Sequence, residues 1–188
     1  DFIVITLGTG LGSGIVVNGD LVYGHDGFAG ELGHTTVNPN GRICGCGRKG
    51  CLETYASATG IKRTLFQLLC ETTIPSSLRD FSYNQVTSEQ IYIAAIQGDE
   101  IAKECFRYTG EVLGTKLAEA VAFSSPEAIF LFGGLAKAGD LIIKPTKQAM
   151  EEHLLPIFKN KVKILPSGLG NVNAAILGAS ALILKNEL

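Results

Sequence analysis

The sequence predicts an α/β layered domain. Three observations carry that prediction. A β-branched run, FIVITL (Phe2–Leu7), stops at a glycine-rich stretch, GTGLGSG (Gly8–Gly14), as a strand running into a tight turn does. Strand and helix patterns alternate through the second half, as they do when helices cover a sheet. The 188 residues are 46% hydrophobic and 18% charged, enough apolar material for one sizeable core.

The elements follow in order. After the first strand, GIVVNGDLVYG forms two short strands around Asn18-Gly19, a dipeptide whose backbone freedom suits a hairpin turn. Gly24 to Gly50 is a glycine-rich loop region with little periodicity. Leu52, Tyr55, Ala58, Ile61, Leu65 and Leu68 then recur at helical spacing, which predicts one helix from Leu52 to about Glu71. TTIPSSLRDFSYNQ is irregular. Thr87 opens a second helix, with Gln90 three residues later to complete a capping box. A third, longer helix starts near Asp99 and runs toward Phe123. EAIFLF (Glu127–Phe132) is a strand, Gly133–Leu155 holds a turn and a helix, and KVKILPS is a short strand. Asn173–Leu184 is a closing helix.

Composition excludes several classes. The net charge of −2 argues for neither nucleic acid nor an anionic membrane surface as a partner. No apolar run approaches the roughly 20 residues that span a bilayer. The start has no basic n-region, so it is not a secretory signal. It also lacks an initiator Met, and the chain is expected to be a piece of a longer protein. Of the five cysteines, Cys70 and Cys105 fall within helical patterns and are expected to be small buried apolar residues. Nothing points to an oxidising compartment, and the expected location is the cytoplasm.

The other three cysteines crowd into HTTVNPNGRICGCGRKGCLE (His34–Glu53). His34, Cys44, Cys46 and Cys51 form a Cys₃His donor set of the kind that holds structural zinc in a tetrahedron. The Cys-x-Cys gap is tighter than usual. Gly41, Gly45, Gly47 and Gly50 provide the sharp turns needed to aim three thiolates at one point. Reduced cysteines in a surface loop are the alternative. A disulfide is a second alternative, and would leave one of the three unexplained.

Two further features bear on chemistry. GTGLG (Gly8–Gly12) at a strand end can present backbone N–H groups and the Thr9 hydroxyl to a phosphate. It matches neither the dinucleotide nor the Walker pattern, and a plain strand-to-hairpin turn explains it as well. LFGGLA (Leu131–Ala136) lets a flat ligand approach the backbone at a second strand end. Glu31 precedes His34 by three residues and Glu53 follows Cys51 by two. A metal drawing His34 and Cys51 together would bring both carboxylates toward one pocket, a donor–acceptor set suited to sugar hydroxyls. Glu53 also suits the start of the helix that follows. His25, Asp26 and Lys49 read as solvated loop residues, and His153 as a helix-end surface residue.

GTGLGSGIVVNG, GFAGELGHTTV, CGCGRKGCLE and LFGGLA, in this order, resemble the ROK family (repressors, open reading frames and sugar kinases). The likeness runs from Phe2 to about Leu184, and within the family it is greatest to bacterial glucokinases. The resemblance implies an actin-like, ribonuclease-H-like ATPase fold with a zinc-bearing loop. It implies zinc on His34, Cys44, Cys46 and Cys51, and hexose hydroxyls held by Glu31, His34 and Glu53. It also implies ATP phosphates, with Mg²⁺, facing Gly8, Thr9, Gly10 and Gly12, and adenosine against Gly133 and Gly134. A homodimer through this domain is implied too. The long apolar helix Ile101–Phe123 is expected to leave surface for a partner.

One departure from the family pattern matters. Family kinases carry an N-terminal lobe with a DxGGT phosphate loop and an Asn-Asp pair whose Asp is the catalytic base. Neither occurs in this sequence, and Asp1 is a strand-start residue. Residues 1–188 therefore read as the C-terminal lobe of a two-lobed kinase, with no catalytic base of its own. The alternatives are the sugar-sensing domain of a family repressor, the one reading that would bring nucleic acid in as a partner, and an N-acetylhexosamine or N-acetylmannosamine kinase.

Overall fold

The computed structural model describes residues 1–169, 176–178 and 180–181. The helix expected over Asn173–Leu184 lies largely outside the described residues. Five strands form one mixed sheet: β1 (Phe2–Leu7), β2 (Leu11–Val17), β3 (Asp20–Leu21), β4 (Ala128–Phe132) and β5 (Lys163–Pro166). Their spatial order is β3-β2-β1-β4-β5. β1, β2 and β3 pair antiparallel as hairpins, while β1, β4 and β5 run parallel. The first turn is the expected one: Asn18 and Gly19 have φ of 52° and 81°, the left-handed pair of a two-residue hairpin. Asp1 is spent at this edge, where its carboxylate accepts the Asn18 N–H.

The antiparallel β1–β2 ladder turns after Leu7 and the parallel β1–β4 ladder ends beside it, so β1 sits at the centre of the sheet. One of its faces, Ile3, Ile5 and Leu7, is fully buried, the alternation of a strand with a core on that side. The facing layer is built from α1 (Ala58–Glu71), α2 (Ser88–Ile96), α3 (Glu100–Ser124) and α4 (Asp140–His153). The capping box foreseen in the sequence forms, and α3 has a cap of its own. Thr87 and Gln90 make a complete capping box, and the Asp99 side chain accepts from Ala102 N–H at the start of α3.

α3 is the central helix. Its crossing with α4 is close because Gly110 and Gly114 face that neighbour. A Cβ on Gly114 would lie 2.3 Å from the Thr146 carbonyl oxygen, so any side chain there would hold the helices apart. The expectation that Ile101–Phe123 offers an apolar surface needs correction. Ile101, Phe106, Leu113, Leu117 and Val121 are buried in this core, and at the helix end only Phe123 stands out, 94% exposed.

Two more expectations are corrected. The helix expected from Leu52 is two elements. A 3₁₀ turn covers Leu52–Thr54, and α1 starts at Ala58 after Ser57, whose extended backbone and side chain cap Gly60 N–H. The break is steric as well as polar: a Cβ on Gly60 would meet the Tyr55 backbone at 2.5 Å. Cys105 is buried and its thiol is pushed up to about 12 by that burial, but Cys70 is exposed, because it falls on the outer face of α1 near its last turn.

Candidate functional site

The Cys-rich loop folds as a small hairpin against the start of α1. Ile43 bridges Lys49, and Thr36 bridges Cys51. Cys44 N–H donates to the Arg48 carbonyl and Gly47 N–H to the Cys44 carbonyl, at 2.9 and 3.0 Å. Gly50 makes the return possible. Its φ is 71°, and a Cβ there would lie 1.6 Å from the Asn38 carbonyl oxygen. The Thr36–Cys51 bridge then places the segment after His34 beside Cys51.

The four expected ligands come together. One donor atom from each of His34, Cys44, Cys46 and Cys51 lies within 4.8 Å of every other. With metal–sulfur bonds of about 2.3 Å and metal–nitrogen bonds of about 2.0–2.1 Å, tetrahedral geometry sets sulfurs about 3.8 Å apart and sulfur to nitrogen about 3.6 Å. Cys46 Sγ lies 3.7 Å from Cys51 Sγ, and Cys44 Sγ lies 3.7 Å from His34 Nδ1. The donor set fits one tetrahedral ion. All five cysteines are free thiols, which removes the disulfide alternative.

The thiols differ in environment. Burial, then a hydrogen bond to Glu53, pushes Cys44 up to about 12. Burial also raises Cys51. Exposed Cys46 is drawn down to about 7, chiefly by the Arg48 backbone N–H. A dication among them would favour all three thiolates, since its charge is the largest local term.

The carboxylates converge on the same place. His34 Nδ1 faces the sulfurs, and its Nε2 lies 3.9 Å from Glu31 Oε2. Glu53 Oε1 lies 3.9 Å from His34 Nδ1 and 2.9 Å from Cys44 Sγ, the thiol donating. The Ser57 hydroxyl donates to the Glu53 carbonyl at 2.6 Å, fixing the Glu53 backbone at the turn before α1. Glu31, His34 and Glu53 thus form one acceptor–donor cluster, partly open to solvent. His25, Asp26, Lys49 and His153 lie exposed and apart from it.

The glycine loops meet this cluster. Gly8 accepts from Ala58 N–H at 2.9 Å, which docks the loop on the N-terminus of α1. A Cβ on Gly10 would lie 2.6 Å from Glu53 Oε2, so loop backbone and carboxylate are in contact. Gly133, at φ 102°, sits over the end of β1, where a Cβ would meet the Leu7 carbonyl oxygen at 2.6 Å. The Gly8–Gly12 and Gly133–Gly134 turns are therefore neighbours at the carboxyl ends of parallel strands, where ligands of such sheets bind. From Gly134 a cavity of about 400 Å³ extends along Ser88, Glu89, Tyr92 and Lys137. The capping box marked the start of α2, but no sequence signal placed that end opposite Gly134.

A mixed five-stranded sheet of this order, with glycine turns at the ends of its parallel strands and a Cys₃His loop against a helix, defines the class: an actin-like ATPase domain. The family is narrower. The ROK family model matches residues 1–186, and the chain belongs to the ROK family. It is 38% identical over 189 residues to a glucokinase of Halalkalibacterium halodurans, covering 100% of this chain and 57% of that protein. It is 31% identical over 191 residues to the DNA-binding transcriptional dual regulator NagC of Escherichia coli, covering 100% of this chain and 45% of that one. Among solved structures it superposes with TM-score 0.85 and 35% identity on a ROK family glucokinase from Streptomyces griseus in complex with glucose and AMPPNP. That match covers 97% of this chain and 60% of the other. The chain thus spans little more than half the length of these kinases. No helix among the described residues is long and apolar enough to cross a membrane.

Proposed function

We propose that residues 1–188 are the C-terminal lobe of a two-lobed kinase that phosphorylates a hexose at its 6-hydroxyl with ATP, glucose being the main substrate. The observation that carries this reading is the contact between Gly10 and Glu53. It sets the Gly8–Gly12 loop against the Glu31, His34 and Glu53 cluster, so that with phosphates on the loop and a sugar on the cluster the donor and acceptor of a phosphoryl group would meet there. The likeness to glucokinases, one of them crystallised with glucose and AMPPNP, supports it.

In this reading Glu31 and Glu53 accept hydrogen bonds from neighbouring sugar hydroxyls, and His34 adds a donor or acceptor through Nε2. Unmatched partners in such a set are costly, which gives the pocket selectivity. The backbone N–H groups of Gly8, Gly10 and Gly12 and the Thr9 hydroxyl orient the phosphates. Gly133 and Gly134 bound the adenosine side, continuous with the cavity beside α2. His34, Cys44, Cys46 and Cys51 hold a structural zinc that keeps His34 and the Glu53 turn in place. Mg²⁺, when bound with ATP, neutralises charge on the transferring group. Lobe closure excludes water. The base that takes the 6-hydroxyl proton is an Asp of the N-terminal lobe, so residues 1–188 alone are inactive. A cytoplasmic homodimer completes the reading.

The test offers the full-length protein Mg-ATP with glucose, N-acetylglucosamine or N-acetylmannosamine. The expected result is the highest kcat/KM for glucose. Preferred transfer to an N-acetylated sugar would overturn the substrate. Sugar-responsive DNA binding without any transfer would establish the second reading, a sensor domain, which the match to NagC supports. In the same protein Cys46→Ser should lose zinc and hexose affinity together. Retained sugar affinity would refute the structural role of the metal.

A further inference from the structure

Arg42 carries a half-buried guanidinium that the proposed chemistry does not use. Arg42 lies two residues before Cys44, at the neck of the Cys-rich hairpin. Its Nη1 donates to the Thr54 carbonyl at 2.9 Å and the Gly60 carbonyl at 3.1 Å. Its Nη2 donates to Thr64 Oγ1 at 3.0 Å and Gln67 Oε1 at 3.1 Å. Its Cζ lies over the Tyr55 ring, 4.5 Å from the centroid. Its backbone is engaged as well: the N–H donates to the Tyr55 hydroxyl at 3.2 Å, and the carbonyl accepts from Gly50 N–H at 2.7 Å.

These partners are not scattered. Thr54 follows Glu53, Gly60 is in the first turn of α1, and Gly50 precedes Cys51. One residue therefore ties the segment leading into Cys44 to the turn that carries both Cys51 and Glu53. We propose that Arg42 is the positioning residue of this site. Its forked guanidinium sets the spacing of Cys44 against Cys51 and Glu53, so that the thiols are arranged before an ion binds. The fork matters more than the charge, because only a planar group with several fixed donors reaches two carbonyls and two side-chain oxygens at once. The polar partners are partly sheltered, so the four-bond set is costly to leave unmade. The alternative is that Arg42 merely supports α1 and affects the ion only through general stability.

The inference rests on the reading that the four-ligand cluster holds zinc, and the experiment separates the two. Full-length protein carrying bound zinc is mixed with a chromogenic chelator, and metal content and release rate are measured. Wild type, Arg42→Lys, Arg42→Met and Arg79→Met are compared. Arg79 is the control. It also spreads its guanidinium over backbone carbonyls, those of Leu69, Thr72 and Ile74, but at the far end of α1. Outer-shell groups that orient metal ligands are worth about 10–100-fold in metal affinity. Both Arg42 variants should therefore release zinc at least about tenfold faster than wild type, and their Co²⁺-substituted forms should show altered ligand-field bands. Arg79→Met should release at the wild-type rate even where its thermal midpoint falls.

Wild-type release and unchanged Co²⁺ bands in Arg42→Lys would overturn the inference while leaving the zinc reading intact. Equal acceleration in Arg79→Met would overturn it too, by reducing the effect to stability. Wild type without about one zinc per chain would defeat the underlying reading, and this inference with it. Should Arg42→Met not fold, Arg42→Lys carries the comparison alone.

Discussion

Gly10→Ala should weaken hexose binding without unfolding the protein. The Gly10 backbone does not lie in the left-handed region, so alanine fits its dihedrals. The obstacle is Glu53: an ideal Cβ would stand 2.6 Å from Oε2. An ordinary carbon–oxygen contact is about 3.3 Å or longer, so the carboxylate must retreat by about 0.7 Å. It retreats easily, being the free end of a side chain, which is why stability is preserved. A hydrogen bond to a charged group contributes roughly 1.5–3 kcal/mol, and about 1.4 kcal/mol is tenfold in affinity. Losing one sugar hydroxyl bond should raise the hexose Kd roughly 10- to 100-fold. Calorimetric titration of full-length protein with glucose measures this, alongside KM for glucose and for ATP. Zinc content and thermal midpoint should stay at wild-type values. An unchanged glucose Kd would refute the argument that Glu53 holds the sugar from that position. A rise confined to the KM for ATP would show that Gly10 acts on phosphates alone.

Three further outcomes are expected. Gly50→Ala combines a φ of 71° with a Cβ 1.6 Å from the Asn38 carbonyl oxygen; elemental analysis should find the zinc lost while circular dichroism retains the sheet and helices. Gly114→Ala should cost about 2 kcal/mol, from up to about 3 of overpacking against backbone that cannot retreat, less up to about 1 gained in helix propensity. For a domain of this size that lowers Tm by about 4–8 °C, and an unchanged Tm would mean that α3 and α4 can separate freely. Asp99 is partly buried, which opposes its charge, but donors from Ser76, Ala102 and Ser77 outweigh this and hold its pKa below the ordinary value. Since the folded pKa is the lower one, its contribution is present above the unfolded pKa and is lost as pH falls through the folded pKa. Asp99→Ala should therefore destabilise by about 1 kcal/mol at neutral pH, with the Tm gap to wild type closing below about pH 4. A gap independent of pH would show that the charge plays no part.

Much of the fold was written in local signals. The Asn18-Gly19 hairpin, the Thr87–Gln90 capping box and the helix start near Asp99 each depend on a few adjacent residues and backbone geometry, and each forms as read. The helix expected from Leu52 was misread because apolar spacing continued through a break made by Ser57 and by the close approach of Gly60 to Tyr55. Cys70 was misread because a helical pattern fixes an angular position, not which neighbours cover it. Burial of the long helix from Ile101 depended on α1, α2 and α4 folding around it, which no window of sequence contains.

The candidate site divides in the same way. Its residue types were evident from the chain alone: four metal donors in eighteen positions, two acids flanking them, and glycines at two strand ends. Tertiary structure alone decided that Gly10 touches Glu53, that Gly133 lies over Leu7, and that the start of α2 continues the cleft past Gly134. It also gave Arg42 its partners. These contacts join segments dozens of residues apart, and they arise only once β1 and β4 pair in parallel and α1 docks beneath the loop. Local preference governs turns and caps because their atoms are neighbours in the chain, whereas the meeting of loops follows from how whole elements pack.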